Sequence, residues 1–207
     1  MPKLGAQLDL PRCPHCNVDR PSLVLVHAVE TNTYDNSNLR RWRIYRCTRC
    51  GGLITAAAKA YDAEVREAFP APLEVEATLP TRAREYLEQA LNSLHAAAGA
   101  VMLAASAVDS MLKEKGYKEG SLYSRIDQAA AEGVITKDMA LWAHDVRLDA
   151  NDQRHADDVA QLPTANDAKR VLDFASALGQ FMFVLPARVQ RGLKAAKNDS
   201  GAPSPTA

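Results

Sequence analysis

Four cysteines in two pairs constrain this chain more than any other feature. Cys13-Pro14-His15-Cys16 and Cys47-Thr48-Arg49-Cys50 are both C-x-x-C, each is followed by turn-forming residues, and Gly51-Gly52 comes directly after the second. This pattern matches the two knuckles of a zinc ribbon. A module of about 50 residues buries too little apolar area to fold unaided, and a bound metal closes that gap. Four thiolates would make a closed tetrahedral shell with no position left for water, so Zn2+ held by Cys13, Cys16, Cys47 and Cys50 is expected to be structural. Arg12, Arg46 and Arg49 are placed to offset its negative charge. Two other readings stay open. One is an active dithiol of the thioredoxin type, which needs a helix start in a βαβ setting that the flanking residues do not offer. The other is a site in which His15 or His27 replaces a thiolate.

Between the pairs, two strand-like runs cover 22–30 (SLVLVHAVE) and 40–47 (RRWRIYRC), and the Asn-, Thr- and Ser-rich stretch 31–38 is the loop between them. Residues 53–59 offer a third strand. The second run interleaves Arg40, Arg41, Arg43 and Arg46 with Trp42 and Tyr45. Arginine beside aromatics on a strand suits single-stranded nucleic acid through stacking and phosphate contact. It equally suits a protein interface. Net charge is zero, but residues 1–60 hold nine Lys and Arg against four Asp and Glu. That surplus of five hints at an anionic partner for the N-terminal module.

The pattern divides the chain into a zinc ribbon at 1–62, a Pro-rich linker at 63–80, an α-helical bundle at 81–197 and a disordered tail at 198–207. The fold class is mainly α, preceded by a small β module. Residues 1–12 read as a loose leader. Thr81 is the expected cap of the first helix. Leu87, Leu91, Leu94, Ala98, Val101, Ala105, Val108 and Leu112 recur at steps of three and four, with a break expected near Gly99 that makes two antiparallel helices. A short helix at 122–131 ends at Gly133. Thr136 caps the next helix, and Thr164 with Asp167 caps the one after. That last helix is apolar on much of its surface, so it is expected at the bundle's centre, and Pro186 is expected to break it. Arg188, Arg191, Lys194 and Lys197 follow on a short basic helix.

The most function-like stretch is 136–158 (TKDMALWAHDVRLDANDQRHADD). Arg147, Asn151 and His155 are four residues apart, and each such step turns only about 40° around a helix, so the three share one stripe. Met139, Trp142, Ala143 and Val146 form the opposite, packing side. The candidate catalytic set is His155 as general acid or base near a 2′-hydroxyl or phosphate, Asn151 beside it, and Arg147 or Arg154 steadying phosphate charge. The alternative is that Asn151 and His155 satisfy backbone groups at a helix end. There is no phosphate-cradling glycine loop, G-x-S-x-G or dinucleotide fingerprint.

The order CPHC, CTRCGG, a Pro-rich linker, REYLEQAL, AVDSMLKEKGY, GSLYSRID, VRLDANDQRHAD and FVLPARV resembles the bacterial domain-of-unknown-function family 4145, over most of residues 13–191. That family is similar to the HEPN superfamily of helical bundles, which includes metal-independent ribonucleases and inert scaffolds, and it recurs beside phage-defence proteins. The resemblance implies an HEPN-like bundle. In the active nucleases an arginine, a polar residue and a histidine form the motif. Here Asn151 and His155 match it, while Ala150 stands at the arginine position and Ala105 where the family often has an arginine on the second bundle helix. The implied function is a non-enzymatic or weakly active accessory module that binds nucleic acid or a protein partner, in phage defence or RNA regulation. The alternatives are a ribonuclease whose site is completed across a homodimer, and a purely structural interaction protein. With no signal-peptide pattern and no apolar run long enough to span a bilayer, a cytoplasmic location without membrane contact is expected.

Overall fold

A computed structural model describes residues 2–72, 74–155 and 161–199, with side chains for all of these except 149, 152–155 and 197–199. The chain forms two compact units, Met1–Glu74 and Val75–Ala207. It is mainly α, with one small antiparallel sheet among the described residues. No helix among them is long and apolar enough to cross a membrane. Of the expected tail, 200–207 lies outside the described residues.

In the first unit the strands are β1 (Leu23–Thr31), β2 (Arg40–Cys47), β3 (Leu53–Ala58) and β4 (Glu67–Phe69), in the order β1-β2-β3-β4. Tyr45 faces Leu25 on one side and Ile54 on the other. Alternation puts Leu23, Tyr45, Cys47, Ile54 and Ala56 on the buried face. Two expectations change here. The stretch expected to be linker supplies β4, which pairs with β3, so the unit runs on past residue 62. The expected loose leader is instead part of the core: Leu4, Leu8 and Leu10 are buried against the sheet. Lys3 bridges to Glu64 and Gln7 to Val24. A sheet this small has only one face to cover, and the leader's leucines are the apolar groups at hand to cover it.

The second unit contains α1 (Thr81–Asn92), α2 (Ala97–Glu114), α3 (Leu122–Ala131), α4 (Lys137–His155), α5 (Ala165–Gly179), a π turn (Gln180–Val184) and α6 (Leu185–Asp199). Its hub is α2, on which α1, α3, α4 and α5 all pack. The helix expected at the centre, α5, is one of these neighbours. The reason lies in side-chain size: Ala100, Ala104, Ala105 and Ala107 of α2 are all buried, and small residues let several helices approach one axis. The break after α1 falls at 93–96, and Gly99 lies inside α2. Pro80, not Thr81, holds the N-cap position of α1, and no side chain caps it. The other caps form as expected. Thr136 Oγ1 accepts from the Met139 N–H at 3.1 Å, and Thr164 with Asp167 makes a reciprocal capping box.

Pro186 does not end its helix. Before it the ladder widens, and the Leu185 N–H donates to the Gln180 carbonyl, five residues back. The pyrrolidine ring would otherwise clash with the carbonyl four residues back, and the wider turn accommodates it. Phe181 and Leu185 on this stretch are exposed, while Met182 and Val184 are buried.

Candidate functional site

Each cysteine pair sits on a turn with the same backbone bonds. The Asn17 N–H donates to the Cys13 carbonyl at 2.9 Å and the Cys13 N–H to the Val18 carbonyl at 3.1 Å. In the second turn, Gly51 donates to Cys47 at 2.9 Å and Cys47 to Gly52 at 2.9 Å. The residue after the second cysteine is left-handed in both: Asn17 at φ 55° and Gly51 at φ 75°. These paired knuckles bring the four sulfurs within 4.8 Å of one another, with Cys13 Sγ 3.9 Å from Cys50 Sγ. A tetrahedral ion with metal–sulfur bonds of about 2.3 Å needs sulfurs about 3.8 Å apart, so the cluster fits one. Burial pushes the Cys13 thiol up to about 12. Burial also acts to raise Cys47, but backbone N–H groups of Cys50 and Arg49 outweigh it and bring that thiol down to about 7. His15 is not a fifth candidate: its Nε2 lies 2.8 Å from the Leu53 carbonyl and its ring covers Gly52, where a Cβ would come within 2.4 Å of it.

The basic aromatic run on β2 does not form one open surface. Tyr45 is fully buried, and its hydroxyl donates to the Gly5 carbonyl at 2.8 Å. It belongs to the core and offers no face for stacking, because its odd position shares the pleat of Cys47. Arg40 pairs with Glu67 at 3.2 Å and Arg41 with Glu30 at 2.7 Å. Arg43 lies over the Tyr61 ring at 4.4 Å. Trp42, half-buried, donates to Thr31 Oγ1 at 2.9 Å. Of the six residues, Arg46 alone combines open exposure with no described partner.

In the helical unit, a cleft of about 680 Å³ opens between α1, α2, α3 and α4. Arg147 and Asn151 both line it, so α4 turns these two residues of its candidate stripe into a concavity. Ala105 and Ala150 line it too. Across from them, Arg125 of α3 is the most constrained cation. Its guanidinium binds the Asp109 carboxylate and donates to the carbonyls of Gly120 at 2.6 Å and Lys118 at 3.4 Å. Asp109 also receives Lys113 at 2.5 Å. Two cations therefore share one carboxylate. Arg147 lies 5.3 Å from the centre of the Tyr123 ring, and Arg82 lies 5.9 Å from that of Tyr86. The Nε atoms of Arg125 and Arg147 are buried with no hydrogen-bond partner among the described residues. The lining holds five cationic side chains, Arg82, Lys113, Lys118, Arg125 and Arg147, against Asp109 and Glu114. That excess of three positive charges in a concave, partly desolvated space focuses a field on anions.

Sequence reasoning picked out only the α4 side of this cleft. Arg82, Asp109, Lys113, Tyr123 and Arg125 were missed as site residues. A local signal exists for the Asp109–Lys113 pair, whose four-residue spacing marks an ion pair on one helix face, but nothing local ties it to Arg125. The side chains of Arg154 and His155 lie outside the described residues.

The model of one protein family, described as Domain of unknown function (DUF4145), matches residues 85–196. That is more than half of the chain and spans every helix lining the cleft except the first turn of α1. No curated protein and no solved structure matches the chain.

Proposed function

We propose a nucleic-acid-binding role for this chain, which belongs to the DUF4145 family. The cleft between α1 and α4 is the binding surface. The observation that carries this reading is the pairing of Arg147 with Tyr123 and of Arg82 with Tyr86 at the cleft, over an excess of positive charge. Arginine takes phosphate, and a tyrosine face takes an unpaired base. Single-stranded RNA is the expected ligand. The helical unit is read as an HEPN-like bundle. Ala105 and Ala150, which stand at the positions given to arginine by the resemblance, both line this same cleft. The chain places Arg147, Arg125 and Arg82 there from other positions.

The sheet unit is read as a zinc ribbon. Cys13, Cys16, Cys47 and Cys50 would hold Zn2+, which closes the fold and supplies no reaction chemistry. A second reading, ribonuclease, is favoured by one observation: Asn151 lines the cleft one helical turn before His155. His155 would then move the proton of a 2′-hydroxyl.

The test is retention of a fluorescent single-stranded RNA by the full chain at low salt, scored for binding and cleavage. Binding that Arg147→Gln weakens supports the cleft. Absence of retention at low salt, where phosphate contacts are strongest, overturns the nucleic-acid reading. Cleavage that His155→Ala abolishes supports the ribonuclease reading, and binding without cleavage removes it.

A further inference from the structure

Two residues behind the cleft take no part in its lining and yet hold a residue that does. His144 of α4 and Asp127 of α3 do not line the cleft, whereas Tyr123 and Arg147 do. The His144 ring packs on that of Tyr123, with centroids 4.5 Å apart and planes tilted by 34°. Its Nε2 lies 2.9 Å from Asp127 Oδ1. Tyr123 and Asp127 are four residues apart on α3, and His144 and Arg147 three apart on α4, so each pair shares one side of its helix. The four side chains therefore make two layers between the helices. Tyr123 and Arg147 form the layer at the cleft, and His144 and Asp127 stand one turn behind it.

The chemistry of the ring says what the second layer does. The His144 side chain is only 18% exposed, and its Nδ1 is buried with no hydrogen-bond partner among the described residues. A buried polar atom left unpaired costs free energy. Phenylalanine would pack on Tyr123 without that cost. What histidine adds is the bond to Asp127, which fixes the plane of the ring. With Nδ1 buried and Nε2 taken by Asp127, the ring has no nitrogen left to meet a ligand, so its part is positional. Tyr123 is 51% exposed. A side chain that open loses rotamer freedom when a base stacks on it, a cost that holding the ring in advance removes.

We propose, resting on the nucleic-acid reading of the cleft, that His144 held by Asp127 is a positioning residue that sets the Tyr123 ring to stack an unpaired base. The sign of one substitution separates this role from electrostatics. Asp127 is an acid, and removing an acid beside a cationic cleft should by charge alone tighten RNA binding. By positioning, Asp127→Ala should weaken binding roughly three- to tenfold, the effect of one side chain's lost order. Asp127→Asn drops the charge but keeps an oxygen that accepts from Nε2–H, so it should bind at least as tightly as wild type. Asp127 is half exposed, and its variants should melt as wild type does.

The test is titration of the full chain with a short oligouridine carrying one 2-aminopurine. Anisotropy reads affinity, and quenching of the purine's fluorescence reads stacking. Tyr123→Leu should remove part of the quench. Asp127→Ala should lose that same part while the salt dependence of binding stays as in wild type. His144→Phe, which fills the same space without the bond to Asp127, should do likewise. Combining the two should cost no more than either alone, because they act as one unit. Wild-type affinity and quench in both single variants overturn the proposal and leave the cleft reading standing. Tighter binding by Asp127→Ala overturns it too, as does an equal loss in Asp127→Asn and Asp127→Ala. Absence of RNA retention by the wild type at low salt overturns the cleft reading, and the positioning role with it.

Discussion

The charge in the cleft sets how RNA binding should respond to salt, and Arg147 is the residue to vary. Five cations and two acids line the cleft. Asp109 already neutralises one of the two cations bound to it, and Glu114 offsets another. Three cations are then left, enough to neutralise about three phosphates, and for a single strand the logarithmic slope of affinity against salt should be about −2. Raising salt from about 50 to about 200 mM should cost roughly 20-fold in affinity. Arg147→Gln removes one cation while leaving a side chain of similar reach over Tyr123. The slope should fall to about −1.4 and the same salt step should cost only about 7-fold. Fluorescence anisotropy with a short unstructured RNA, repeated over four salt concentrations, measures both slopes. Arg40→Gln is the control, because Arg40 is paired with Glu67 in the other unit and should leave the slope unchanged. A wild-type slope near zero would refute the phosphate argument. A slope altered by Arg40→Gln but not by Arg147→Gln would refute the cleft as its location.

Three further outcomes are expected. Elemental analysis should find one zinc per chain, and chelation should unfold the sheet while the helical unit keeps its circular dichroism; a fully folded, metal-free sheet would refute the zinc assignment. Tyr45→Phe leaves the Gly5 carbonyl without its donor and should cost the sheet unit about 1–3 kcal/mol in a chemical melt. RNA retention by that variant should be unchanged, whereas a loss of binding without a loss of stability would put Tyr45 back at an interface. Asp167 is held below the usual carboxylate range, first by the Thr164 hydroxyl and then by its backbone N–H. Because the folded value is the depressed one, the capping contribution is complete above the ordinary carboxylate pKa and disappears as pH falls through the folded value. Thermal melts of Asp167→Asn should therefore lie below wild type at neutral pH and converge with it in acid; a constant gap at all pH values would refute the linkage.

What could be read from the sequence and what could not divides by the range of the interactions. The knuckles were legible because each is closed by bonds within five residues, and the left-handed residue after the second cysteine is one that tolerates it, Asn17 or Gly51. The caps at Thr136 and Thr164 were legible for the same reason. The role of Tyr45 was not, because a strand's period of two says that Trp42 and Tyr45 face opposite ways but not which way is inward. The answer came from Leu4, Leu8 and Leu10, which cover one side of the sheet from a segment with no periodicity of its own. The cleft was half legible. Arg147 and Asn151 share a stripe by helical geometry alone, but Tyr86, Asp109 and Arg125 reach them from three other helices.

The end of the chain is the sharpest case, because its local signals were correct and the conclusion drawn from them was not. Pro186 does remove a donor and crowd the carbonyl four residues back. Those costs end a helix only when the ladder cannot widen. Here the bond from Leu185 to Gln180 widens it one residue ahead of the proline, and Met182 and Val184 on that turn stay buried in the core. Core packing thus holds the widened turn in place, and the helix passes through the proline into α6. The consequence is chemical as well as geometric. Had the helix broken at Pro186, Val189 and Leu193 would lie on a separate short helix with no fixed phase to Leu185. Carried on as helix, they line up with Leu185 into one stripe that stays about half exposed among the described residues.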